Sequence, residues 1–218
     1  MPVDVPRINS EQEASILQRT LAADVQGGWV QLKFLRNEEA WIEEFQRALR
    51  LFNPHVFHFV GHGQYDKDQK KGYLVFQRDQ KKAPYDPEVM AILLRDSNVG
   101  VAILNGCDTG TSYTNDVLGG VASALVTAGA PAVIATMRQV LDEAALIFTR
   151  EFYRSFVDGS PVEVAVVDAR KALQNQQLNW SAYALFSGRK PHGKPEEDLK
   201  HLRLVRGAVS RRSAGPAA

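Results

Sequence analysis

Cysteine is almost absent: Cys107 is the only one in 218 residues. One thiol cannot form an internal disulfide, so a reducing compartment, the cytoplasm, is expected. Nor is there any run near the ~20 consecutive apolar residues of a membrane span, and the opening MPVDVPRINSEQEA has no apolar signal region. No membrane association is expected. Charge of one sign is not in excess either: 26 Lys and Arg face 25 Asp and Glu, so nucleic acid is not indicated as a partner. No second Cys or His stands at ligand spacing from the pair discussed below, so neither a metal nor another cofactor is expected. What remains, 44% hydrophobic and 23% charged, suits a soluble chain with one sizeable core.

Patterning supplies the organisation. Ser10 with Glu13 reads as a capping box, followed by Ala14, Leu17 and Leu21 at helical spacing. Trp29 to Leu35 alternates as a strand. Asn37 is a cap for a helix that buries Trp41, Phe45, Leu49 and Phe52 and stops at Asn53-Pro54. Val56–Val60 is a strand, then GYLVFQ a short one, between charged segments DKDQKK and RDQKK that read as solvated loop ends. Asp86-Pro87 opens a helix. Val99–Leu104 is the continuous apolar run of a central parallel strand. A helix is expected at 117–127, a strand at 132–136, helices at 143–156 and 162–174, and a last strand at 183–186. Strands alternating with helices give an α/β sandwich with a mostly parallel sheet over residues 1–188. The basic stretch 189–218 reads as a largely disordered tail.

Two strand ends carry chemistry. HVFHFVGHG puts His62 between Gly61 and Gly63, and VAILNGCDTG puts Cys107 just after Gly106. In open α/β sheets functional groups gather beyond the carboxyl ends of strands. A thiol needs a base to become a nucleophile near pH 7, and a histidine both supplies one and can protonate a departing amine. The amides of Gly63 and Cys107 would stabilise an oxyanion if the two segments converge. Those are the parts for acyl transfer. His58, on the strand itself, reads as a hydrogen-bonded core residue. Trp180 and the aromatics Phe148, Phe152, Tyr153 and Phe156 read as core packing.

The histidine precedes the cysteine by 107 − 62 = 45 residues. That order and spacing resemble caspase-type cysteine peptidases. With DVLGGVASALVTAGAPAVIAT (116–136), DEAALIFTREFY (142–153), PVEVAVVDARKAL (161–173) and WSAYALFSG (180–188), the chain most resembles the CHAT domain, the caspase-like domain often attached to tetratricopeptide repeats. Separase is a more distant relative. The resemblance implies a caspase-like three-layer sandwich, a His62–Cys107 dyad, and an oxyanion hole at the amides of Gly63 and Cys107. It implies that Asn105 lines the substrate pocket and that the segment after Thr136 pairs with an extended substrate. CHAT domains usually begin with a strand, and only nine residues precede the helix at Ser10. The first strand is therefore expected to be missing, or supplied by a repeat-containing region or partner chain.

The expected function is that of a cysteine endopeptidase acting on a protein or peptide substrate. Asp108, Asp116 and Asp142 are candidates to line a pocket for a basic side chain; as solvated acids or helix caps they need no such role. Two alternatives stay open: an inactive caspase-like peptide- or partner-binding module, and another hydrolase or transferase using the same thiol.

Overall fold

The computed structural model describes residues 10–36, 41–66, 68–69, 71–78, 81–95, 97–108, 117–138 and 140–188. In chain order the elements are α1 (Ser10–Thr20), α2 (Ala22–Gln26), α3 (Ile42–Leu51), β1 (Val56–Asp66), β2 (Lys71–Arg78), β3 (Lys81–Tyr85) and α4 (Pro87–Arg95). Then come β4 (Val101–Asp108), α5 (Val117–Thr127), β5 (Ala132–Thr136), α6 (Asp142–Val157), α7 (Val162–Asn175), a 3-10 turn at Trp180–Ala182 and β6 (Tyr183–Ser187). The strands form one six-stranded sheet in the order β3-β2-β1-β4-β5-β6. Its centre, β1-β4-β5, is parallel; β2, β3 and β6 add antiparallel pairs toward both edges.

The central runs are apolar at every position because helices cover both faces. Val101, Ile103, Ala132 and Ile134 face a core with Leu17 and Leu21 near α1, Phe148, Phe152 and Phe156 of α6, and Val162, Ala169 and Leu173 of α7. The alternate residues Ala102, Leu104, Val133 and Ala135 face Phe45 of α3, Met90 and Leu94 of α4, and Val121 and Leu125 of α5. Each large side chain so buried stabilises the fold by roughly 1.5–3 kcal/mol. The result is a three-layer, caspase-like α/β sandwich. Asn53 ends the turn after α3 at φ 51, a left-handed conformation that Asn tolerates better than most residues. α3 has Trp41 at its N-terminal cap position, with no side-chain cap, rather than the expected Asn37; Asn37 itself and the tail at 189–218 lie outside the described residues.

Several expectations are corrected. Residues 30–36 are not a strand: no described residue forms a ladder with them, although Val30, Leu32 and Phe34 pack on the core and Gln31 and Lys33 are exposed. Alternation reports a surface packed on one side, and a ladder needs a neighbouring strand as well. Conversely, Lys81 and Lys82 are not loop ends; they pair with Arg78 and Gln77 in β3. Pro84, exposed and without an N–H to donate, suits the edge position of this strand. Glu13 does not serve a capping box, since its carboxylate is turned into the core. Trp180 is 41% exposed, stacked under Arg170 rather than packed in the core.

Candidate active site

β1 does not stop at Val60. It runs to Asp66, so Gly61, His62 and Gly63 are strand residues rather than a turn. β4 likewise carries Asn105, Gly106, Cys107 and Asp108 within the strand. The two strands are parallel neighbours, and their register matches Val60 with Asn105, Gly61 with Gly106, His62 with Cys107 and Gly63 with Asp108. Adjacent strands lie about 4.8 Å apart, so His62 and Cys107 are direct backbone neighbours.

The glycines make that approach possible. A Cβ on Gly106 would sit 2.6 Å from the Gly61 carbonyl oxygen, and one on Gly61 would sit 2.5 Å from the Phe59 ring. Neither has a positive φ, so close packing, rather than left-handed backbone, is what demands glycine here.

His62 is half-buried, and Gly63 is buried between Leu74 of β2 and Asp108 of β4. The side chains of Cys107 and Asp108 and the whole of Asp116 lie outside the described residues. Asp142 is exposed in the first turn of α6, and among the described residues no hydrogen bond or ion pair joins it to β1 or β4. Asn105 is only 4% exposed, and its amide is engaged inward.

That amide belongs to a buried polar cluster. Glu13, from α1 and 3% exposed, accepts at Oε1 from Asn105 Nδ2 at 2.7 Å and from Thr149 Oγ1 at 2.6 Å. His58 Nε2 stands 3.1 Å from the same oxygen. His58 Nδ1 meets Tyr153 Oη at 3.2 Å, and Tyr183 Oη donates to Asn105 Oδ1 at 3.3 Å. Burial pushes the Glu13 carboxyl up, but contact with His58, then Thr149 and Asn105, outweighs it and holds the group below its usual range. Burial, with the Glu13 charge added, pushes the Tyr153 phenol well above its usual range, so it stays protonated. A hydroxyl at Nδ1 and a carboxylate at Nε2 suit the histidine tautomer with its proton on Nε2. The expectation for His58, a hydrogen-bonded core residue, holds.

The far end of β4 has one further support. The β4–β5 ladder ends at Leu104 and Ala135, so Asn105 to Asp108 overhang β5 and, among the described residues, pair only with β1. There Thr136 Oγ1 stands in for a strand partner, donating to the Gly106 carbonyl at 3.1 Å with the Gly106 N–H 3.4 Å away.

The family model of the CHAT domain matches residues 3–189. The chain belongs to the CHAT family. That family is caspase-like, in agreement with the sandwich described above. No curated protein matches the chain. Within this CHAT domain, sequence reasoning missed the contacts of Glu13, Thr136 and Tyr183 with β4. The signal for Glu13 was present: it stands four residues before Leu17, on the stripe that packs against α6, where a carboxylate needs partners.

Proposed function

We propose that this CHAT domain is a cysteine endopeptidase. The observation that supports it is the register of His62 with Cys107 on neighbouring parallel strands. In this reading the Cys107 thiolate attacks the scissile carbonyl, and the carbon–nitrogen bond breaks as His62 protonates the departing amine. Water then hydrolyses the thioester. The amides of Gly63 and Cys107 are the proposed oxyanion donors. Asp108, Asp116 and Asp142 are the proposed carboxylates for a basic P1 side chain. With Asn105 held by Glu13 and Tyr183, its part in the pocket is through the backbone it supports. A reducing, cytoplasmic setting suits a free thiol.

A second reading is a partner-binding module whose site another chain completes. It is favoured by the edge of β1: the β2 ladder begins only at His62, so Val56–Gly61 has no described strand on the side away from β4. An unpaired edge of this kind invites strand addition by a peptide, a repeat-containing region or a partner chain.

A peptide-library digest separates the two. Cys107→Ala and His62→Ala are each expected to remove cleavage by a factor on the order of a thousand or more, with the double variant little worse, because such groups act as a unit. Turnover by Cys107→Ala would end the peptidase reading. Preference for P1-Asp over P1-Arg and P1-Lys would overturn the basic pocket.

A further inference from the structure

The overhang of β4 carries Cys107 beyond the described β5 ladder, and the buried polar groups gather at its base. Past Leu104 the strand has a ladder on one side only among the described residues. Three side-chain contacts replace the missing one: Thr136 at the Gly106 backbone, Glu13 on the Asn105 Nδ2 and Tyr183 on the Asn105 Oδ1. Glu13 also meets His58, four residues before His62 on the neighbouring strand. One carboxylate thus ties together the two strands that bear the dyad, just below it.

A carboxylate is a poor choice if its only task is to dock α1. Burying it is costly, and an apolar side chain beside Ala14 and Leu17 would hold the helix as well. What an apolar residue cannot do is accept from Asn105, whose backbone leads in two steps to Cys107. We propose that Glu13, acting through Asn105, and Thr136, acting at Gly106, are positioning residues that fix the β4 overhang so that the Cys107 thiol stays within reach of His62. This rests on the dyad reading given above, and it adds α1 to the parts on which the dyad depends.

The test needs no substrate, because Cys107 is the only cysteine and its alkylation by iodoacetamide reports it alone. The rate is measured against pH on the full chain, beside the unfolding midpoint of each variant. In the wild type the inflection is expected well below the free-thiol value of about 8.5. His62→Ala moves it up to that value. Glu13→Ala and Thr136→Val are expected to move it in the same direction, slowing alkylation near pH 6.5 by roughly fivefold to tenfold. Glu13→Gln, which keeps an acceptor for Asn105, stays within about twofold of the wild type. Thr149→Val is the control: it removes a hydrogen bond to the same Glu13 oxygen without touching β1 or β4, so it lowers the midpoint and leaves the profile alone.

A low inflection in the wild type that Glu13→Ala and Thr136→Val leave in place overturns this inference and spares the dyad. Loss of the low inflection in Thr149→Val as well, in proportion to stability, also overturns it. Should Glu13→Ala not fold, the near-isosteric Thr136→Val decides alone. A free-thiol profile in wild type and His62→Ala alike overturns the dyad reading, and this inference with it.

Discussion

The two faces of the sheet are both covered by three helices, yet they bury different things. On the side of α3, α4 and α5 the buried cluster is apolar throughout, from Phe45 and Phe59 to Leu104 and Leu125. On the side of α1, α6 and α7 lie Glu13, Asn105, Thr136 and Thr149, all four of the buried polar residues among those described. The polar face is not short of apolar contact: Phe148 stacks on Tyr183 with ring centroids 3.6 Å apart, and Phe152 and Phe156 continue the row. The difference lies in position along the strands. Polar groups replace apolar ones at the carboxyl ends of β4 and β5 and at His58 of β1, below the level at which His62 meets Cys107. Buried polarity costs stability unless every group is paired. Its concentration there, and its absence across the sheet, marks the end of the sandwich where geometry rather than bulk packing is being held.

Substitutions on the two faces should differ in kind as well as size. Leu125→Ala empties a fully buried site on the apolar face and is expected to cost about 2–5 kcal/mol, nearly the same at pH 3 and pH 7. Asn105→Leu keeps the volume of the other face but takes a donor from Glu13 and an acceptor from Tyr183. Its expected cost is about 3 kcal/mol at pH 7, and it shrinks in acid, where Glu13 becomes neutral in the wild type as well. Urea unfolding at both pH values reads the two losses. A pH-independent cost for Asn105→Leu would remove the distinction between the faces.

How legible this was from the residues follows the same division. The apolar face was read well, since 3.6-residue and continuous-run patterns report packing directly: α4 opens at Pro87, α5 and β5 fall where expected, and β1 starts where expected but runs on to Asp66. The side-by-side arrangement of His62 and Cys107 was legible because two similar strand ends in one parallel sheet bring their carboxyl ends together. Their placement inside the strands was not, because glycine signals a turn and a close approach equally, and only the 2.6 Å gap at Gly106 tells them apart. Glu13 was read as a helix cap for a related reason. A glutamate three residues after a serine satisfies a local rule, while its true partners, Asn105 and Thr149, are 92 and 136 residues away. Local grammar cannot see contacts of that range.

A smaller effect isolates the charge of Glu13 itself. Its carboxyl titrates below its usual value in the folded chain, so the folded state binds the proton less readily than the unfolded one. The stability this supplies is present above about pH 4.5, near the unfolded value, and is lost as pH falls through the lower folded value. Glu13→Gln, with shape kept, is expected to cost on the order of 1–2 kcal/mol at pH 7 and to lose less than the wild type between pH 4.5 and pH 3. Parallel acid limbs for the two proteins would mean that the carboxylate contributes no charge-dependent stability.

The smallest expected effect comes from a charge cluster outside both cores. Lys71 Nζ donates to Asp86 Oδ2 at 2.8 Å and Glu88 Oε1 at 3.0 Å, joining β2 to the start of α4. Hydrogen bonds donated to Asp86 and Glu88 raise the Lys71 pKa above its usual range, against a smaller opposing effect of desolvation. The Glu88 side chain is 75% exposed, so water competes for these contacts and ordering a long lysine offsets part of their gain. Lys71→Gln is therefore expected to cost less than about 1 kcal/mol. Asp86 retains its separate hold on α4, accepting from the Glu88 N–H at 2.8 Å, which limits the loss further. The two clusters should part company in salt. Raising ionic strength to 1 M shortens the screening length to about 3 Å, which should erase the Lys71→Gln difference and leave that of Glu13→Gln in place. Equal salt sensitivity in the two variants would show that the Glu13 cluster is open to solvent, and the contrast between a buried tie and a surface one would fail.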